Sequence, residues 1–303
     1  INAGGDLTGA ASKGFINTSA QLIVNNGGSY TRAGILDIRN GGGGITINDG
    51  GSFDLGTLRA ADGTFAISGS TADVTIGTLR TVDPATVDGN NDTFTANNAN
   101  LSLSNATLNI TNLMEWDGAS AVSIGAGSTL NLAGSGSHVI TDGVVTSAGG
   151  VVEASGSGTQ TLGFAISGDG SVEQNGTGTT TLSVANGHTG GTTISAGTLV
   201  LDNASALGTG TVTLSGGLLK DNVASNATYN NDIVVTDSTS TTIIDSAGGN
   251  SYFGGAVTGT GTLNFGGSGD GQVSGTIRWQ TDMSGFTGTV NYDTKNNLNN
   301  FWL

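Results

Sequence analysis

The feature that most constrains this chain is an echo of itself at a short, nearly fixed interval. FDLGTLRAAD, from Phe53 to Asp62, returns as VTIGTLRTVD, from Val74 to Asp83, at an offset of 21 residues. IVNNGGSY (Ile23 to Tyr30) returns as TINDGGSF (Thr46 to Phe53) at an offset of 23, which sets Val24 against Ile47 and Tyr30 against Phe53. Periods of about 20 to 23 residues, made of short alternating strands and Gly/Asn/Asp turns, are what one coil of a solenoid requires. Segments such as GITIND (Gly44 to Asp49), STLNLA (Ser128 to Ala133), GTLVLD (Gly197 to Asp202) and TVTLSG (Thr211 to Gly216) alternate apolar with small polar residues. One face of each such strand is buried and the other wet.

Composition agrees with a thin core. The 303 residues include 54 Gly, one Pro and no Cys, with 5% aromatics, so the bulky side chains that fill a wide globular interior are scarce. With 35% hydrophobic and 10% charged residues, the chain lacks the low-hydrophobicity, high-charge signature of disorder. The spacing predicts an all-β chain, a single-stranded parallel β-helix (β-solenoid) of about 14 coils of ~21 residues over 1–290. Gly and Asn at the coil corners supply the positive φ angles that turns need. The stretch 83–100 holds the only Pro, Pro84, and a polar run, and is predicted as a projecting loop. Residues 291–303 lack turn glycines and read as a tail that caps a coil or contacts another subunit. No helix longer than a turn or two is expected; the stretch Asn112 to Trp116 comes nearest.

The net charge of −15, from 23 acidic and 8 basic residues, repels phosphate backbones and anionic headgroups, so nucleic acid is excluded as a partner. No apolar run approaches the roughly 18 residues that cross a bilayer, so no membrane span is expected. The absence of Cys permits an exported protein without disulfides.

GHTGGTTISAGTLVLDNASALGTGTVTLSGG, from Gly187 to Gly217, resembles the passenger-associated repeat of autotransporter adhesins and related β-helical surface proteins. GSVEQNGTGTTTLSVAN (Gly170 to Asn186) is similar to the lead-in of that repeat, and SGFTGTVNY (Ser284 to Tyr292) looks like a further fragment. Together they place autotransporter-like repeats in 170–290. The resemblance implies a right-handed β-helix, secreted or displayed at the cell surface of a Gram-negative-type envelope. Autotransporters of the usual type also carry a C-terminal membrane barrel, which this chain does not show.

Catalytic chemistry is thin. Nucleophilic catalysis needs a base beside Ser or Cys, and the two histidines, His138 and His188, sit in no motif. Arg39, Arg59 and Arg80, spaced 20 and 21 apart, are expected to stack on an outer face beside Asp62 and Asp83. Such a column reads either as a binding stripe for an acidic glycan or a neighbouring subunit, or as a cross-coil charge ladder that offsets its own repulsion; the ladder is the preferred reading. Asp88, Asn90 and Asp92 alternate like the first half of a Ca²⁺ loop, without the Gly and distal Glu that complete one, so Ca²⁺ is the one cofactor considered. Phe301, Trp302 and Leu303 form an apolar end suited to assembly.

These features predict a non-enzymatic extracellular structural protein that self-associates head-to-tail or through terminal strands into a fibre or surface layer. The alternative is an adhesin passenger that binds a host or matrix glycan. A polysaccharide lyase-like enzyme shares the fold but needs acidic metal ligands and a base gathered in one groove.

Overall fold

The computed structural model describes residues 1–9, 14–16, 19–38, 43–60, 62–81, 98–116, 122–236, 240–245, 250–265, 276–279 and 282–292. Among them there is no helix; the parallel strands stack as a β-solenoid with turns about 22 residues apart. The chain forms two compact units, Ile1–Val152 and Glu153–Leu303.

In the first unit each coil contributes a short strand and then a long one that bends at its middle. The short strands Gln21–Val24, Gly44–Ile47, Asp62–Ser68, Asn98–Ser104 and Val122–Ile124 pair in order along one face. The long strands Ser29–Ile38, Ser52–Ala60, Asp73–Thr81 and Thr107–Trp116 pair along the other two. The register is the one the echoes require: Val24 lies against Ile47, Tyr30 against Phe53, and Leu58 against Leu79. Because the side-chain period is two, these partners point inward together. Val24, Phe53, Leu58 and Leu79 are all fully buried, each contributing about 2 kcal/mol relative to exposure. Tyr30 and Phe53 stack at 5.2 Å between ring centroids.

The bend is set by close approach. At Gly56, between Leu55 and Thr57, an added Cβ would fall on the Ala33 carbonyl oxygen of the neighbouring coil. The adjacent turns use left-handed glycine: Gly27 and Gly50 both have φ of 71°, and the turns close with Gly28 N–H to Asn25 O and Gly51 N–H to Asn48 O. Inside this corner an asparagine ladder forms, Asn25 Nδ2 donating to Asn2 Oδ1 at 2.7 Å and Asn48 Nδ2 to Asn25 Oδ1 at 2.6 Å. Stacked identical amides satisfy one another, which is why Asn recurs at this place in successive coils.

The expectation of no long helix holds among the described residues, and one expectation changes. Even Asn112 to Trp116, the stretch that came nearest to a helix, is the second half of a strand, with Leu113 in register with Thr78 and Met114 with Leu79 after a bulge. Stacking on the coil below overrides its local helical tendency, since Met114 and Trp116 are thereby buried. The expected loop 83–100 ends early: Asn98, Ala99 and Asn100 belong to a strand paired with Asp62, Gly63 and Thr64. Burial of Ala99 and Leu101 holds that strand in place. Across this insertion the coil step widens to 34 residues, from Asp73 to Thr107, and the described residues stack in about 10 turns, fewer than the ~14 that division of length by one period gives.

In the second unit the long strand is replaced by two short ones per coil. Ser171–Gln174, Thr192–Ile194, Val212–Leu214, Ile233–Val235 and Val257–Gly259 make one ladder. Thr159–Leu162, Thr179–Leu182, Thr198–Leu201, Leu218–Asp221, Ser240–Asp245, Thr262–Phe265 and Thr289–Tyr292 make a second. A third ladder of three strands joins Ala227–Tyr229, Asn250–Phe253 and Thr276–Trp279. Inward columns are mostly Val, Leu and Ile, with Tyr229 stacked on Phe253 at 5.2 Å. Some inward positions are polar and bonded along the column, as where Gln160 Nε2 donates to Thr180 Oγ1 at 3.1 Å.

Candidate functional site

The arginine column exists in part, with different acids than the spacing suggests. Arg59 and Arg80 are register partners. Beneath Arg59 stands Asp37, and above Arg80 stands Glu115. Arg59 grips Asp37 with both arms, Nε to Oδ1 at 2.7 Å and Nη2 to Oδ2 at 2.8 Å. Arg80 Nη2 meets Glu115 Oε2 at 2.7 Å. The column is thus a ladder of two opposite-charge pairs whose like-charged arginines are adjacent. Arg39 lies outside the described residues, and the register gives the place beneath Arg59 to Asp37, two positions earlier. Asp62, predicted as a flanking acid, opens the strand Asp62–Ser68 and is in register with Asn98. Asp83, Asp88, Asn90, Asp92, Phe301, Trp302 and Leu303 also lie outside the described residues.

Burial separates the two pairs. Asp37 is fully buried and Arg59 is 7% exposed; a forked ion pair in that environment holds the two charges tightly, and neither can lose its partner cheaply. Glu115 and Arg80 keep 45% and 26% side-chain exposure, so their pair contributes at most about 1 kcal/mol. The inner pair is therefore structural, and the stripe offers little free guanidinium to a ligand.

Each histidine is enclosed and bonded. His138 is fully buried and accepts the Met114 backbone N–H through Nδ1 at 3.1 Å, satisfying a donor next to the strand bulge. His188 is also fully buried, its Nε2 3.0 Å from Thr192 Oγ1. Thr192 Oγ1 donates to Leu207 O at 3.2 Å, so its lone pair faces His188 and Nε2 carries the ring proton. Nδ1 is then a bare acceptor without a partner. Burial pushes the His188 pKa down to about 4. Among the described residues no group of three or more His, Cys, Asp and Glu is placed to hold a metal ion, and no helix is long and apolar enough to cross a membrane.

A polar pocket that the spacing did not announce lies in the second unit, where Asn186, Ser205, Thr209, Thr228, Asn230 and Asn231 converge around about 300 Å³. Asn186 braces its floor: Oδ1 accepts Ile166 N–H at 2.9 Å and Nδ2 donates to Ala206 O at 2.7 Å. Asn231 braces the wall, Nδ2 donating to Gly208 O at 3.2 Å and Gly210 O at 2.7 Å. His188 lies directly under Gly208, where an added Cβ would meet its Cε1 and Nδ1. Beside the pocket, Thr228, Tyr252 and Arg278 follow one another in register on three coils. The Arg278 guanidinium lies over the Tyr252 ring, 5.5 Å from its centroid.

A family model, the passenger-associated-transport-repeat, matches residues 172–201. The match covers most of the lead-in and the first half of the repeat-like stretch 187–217. It contains His188 and Thr192 and spans the strands Thr179–Leu182, Thr192–Ile194 and Thr198–Leu201. Comparison with curated proteins and with solved structures gave no match.

Proposed function

We propose that this chain is a passenger segment of an autotransporter-type surface protein, serving as a non-enzymatic structural solenoid outside a Gram-negative-type envelope. The observation that carries the reading is the passenger-associated-transport-repeat at residues 172–201 within a parallel β-solenoid, which together fit an autotransporter passenger domain. In such a fold each coil contacts only its neighbours, so structure can propagate coil by coil along a chain that emerges from a membrane in order. The missing Cys residues remove any dependence on disulfide formation along the way. Among the described residues the Asp37–Arg59 and Arg80–Glu115 pairs and both histidines are spent on contacts within the chain, which favours a structural role over a catalytic one.

The test is a fusion of the chain between an export signal and an outer-membrane barrel, probed with protease on intact cells. The fusion should be digested from outside, and deletion of 172–201 should lower the folded, surface-exposed fraction. Retention of the intact fusion inside the cell would refute the reading, and new unsaturated or reducing ends on an acidic polysaccharide incubated with the protein and Ca²⁺ would refute its non-enzymatic part.

Self-association is the finer part of the proposal. Solenoids add to one another through strand edges, and the strands Asp6–Gly9, Gly14–Ile16 and Gln21–Val24 carry three exposed large apolar side chains, Leu7, Phe15 and Ile23. Sedimentation velocity at rising concentration should show growth that is lost on Leu7→Ser with Ile23→Ser; a single monomeric boundary throughout would exclude it.

A further inference from the structure

We infer that the pocket beside Asn231 and the adjoining Tyr252–Arg278 column form a binding site for an oligosaccharide that carries a carboxylate. This goes beyond the structural reading and does not depend on it.

The pocket is built, not incidental. Asn231 is 9% exposed, and its amide nitrogen is pinned by two backbone carbonyls, so its orientation is set before any ligand arrives. With Nδ2 so engaged, Oδ1 is left facing the pocket as an acceptor without a partner among the described residues. The hydroxyls of Ser205, Thr209 and Thr228 and the side-chain amide of Asn230 are likewise unbonded among the described residues, and all four are exposed at the rim. An acceptor whose direction is fixed by the pinned amide, ringed by hydroxyls and an amide that are unbonded among the described residues, is a cluster of convergent polar groups of the kind that orients a small ligand.

The chemistry of the lining selects the ligand. It contains no titratable side chain and almost no apolar wall, Ala204 being the one aliphatic member. Hydroxyls and amides that both donate and accept match the ring hydroxyls of a sugar, which also donate and accept. The volume of about 300 Å³ lies at the small end of ligand sites, the scale of one sugar unit rather than an extended cofactor. Arg278, the cation beside the pocket among the described residues, matches one carboxylate and not the run of charges on a polyphosphate or nucleic acid.

That cation supplies the carboxylate preference. Arg278 stands two coils from Thr228 in the same column, about 10 Å away at the usual strand spacing. This distance is comparable with the length of a disaccharide, so a chain seated in the pocket places its next units over Tyr252 and Arg278. Among the described residues Arg278 forms no ion pair, and its buried Nε has no hydrogen-bond partner. An aromatic face holds the guanidinium in place, and its two terminal Nη groups, unbonded among the described residues, can meet a planar carboxylate as a bidentate pair needs.

Calorimetric titration of the full chain with hyaluronan tetrasaccharide, and with chitotetraose as its neutral counterpart, tests the site. The acidic tetrasaccharide should bind saturably and about tenfold tighter than the neutral one, the factor that one charge-assisted hydrogen bond supports. Arg278→Met should bring the two to equal affinity, and Thr209→Leu and Ser205→Leu, both at exposed rim positions, should each abolish binding while leaving the melting temperature unchanged. The inference is overturned if neither saccharide binds saturably, if chitotetraose binds as tightly as the acidic ligand, if Arg278→Met leaves the preference intact, or if both rim variants bind like the parent.

Discussion

Acidification should destabilise the second unit through His188 in a way that His188→Gln removes. In the folded chain the ring is sealed from solvent, its one proton is committed from Nε2 to Thr192 Oγ1, and Nδ1 faces no acceptor. A second proton would place a charge in a dry interior with nothing to receive its hydrogen bond. The pKa therefore falls from 6.5 to about 4 on folding. A base whose folded pKa is lowered loses stability as pH drops, because the unfolded chain takes up the proton first. At pH 7 both states are essentially neutral and the effect is small. At pH 5 the penalty is about 2 kcal/mol, and below pH 4 it reaches its full value of about 3 kcal/mol. Gln at this position keeps an amide donor for Thr192 and does not titrate. Urea unfolding of both proteins at pH 7.5 and pH 5 isolates the effect, because every group other than residue 188 is common to both. The wild type should lose about 2 kcal/mol more than the variant over that interval, and the His188 Cε1 proton resonance should titrate near pH 4. Parallel losses in the two proteins, or a His188 midpoint above pH 6, would refute the reasoning.

Three further outcomes follow from contacts already described. Asp37→Asn strands the buried Arg59 guanidinium and should cost about 3 to 5 kcal/mol in chemical denaturation, whereas Asp37→Leu with Arg59→Met should recover most of that loss. Glu173→Gln should stabilise the protein at pH 7: burial and, next, the Glu153 charge raise the Glu173 pKa, so the folded state favours the protonated acid, and the gain should shrink as pH falls and wild-type Glu173 takes up its proton. Gly56→Ala sets a methyl against the Ala33 carbonyl at a coil corner and should lower the melting temperature by several degrees, roughly the effect of 1 to 3 kcal/mol.

Much of the coil was legible because its signals are local. Alternation of apolar and polar residues sets which side of each strand is buried, and a Gly–Gly turn after Asn sets where the strand ends, so Tyr30 over Phe53 and Leu58 over Leu79 could be aligned from the echoes alone. The same reasoning broke down wherever a coil gained residues. Arg39 was aligned with Arg59 by a uniform period, but the wider step between the first long strands brings Asp37 there instead. Arg80 and Glu115 meet across an insertion that no spacing rule spans. Near neighbours alone leave Asn112 to Trp116 ambiguous, and pairing with Thr78 and Leu79 on the coil below makes it a strand.

What the amino-acid sequence determined by itself is the repeating unit: strand periodicity, corner residues, a narrow aliphatic interior and an acidic, cysteine-free composition. Only the tertiary structure decided which side chains meet between coils. A shift of one or two residues in an inserted segment exchanges every neighbour above it, and the winning register depends on summed packing over many coils. That is why the sealed Asp37–Arg59 pair, the bare nitrogen of His188 and the pocket assembled from Asn186, Thr209 and Asn231 became visible only in three dimensions.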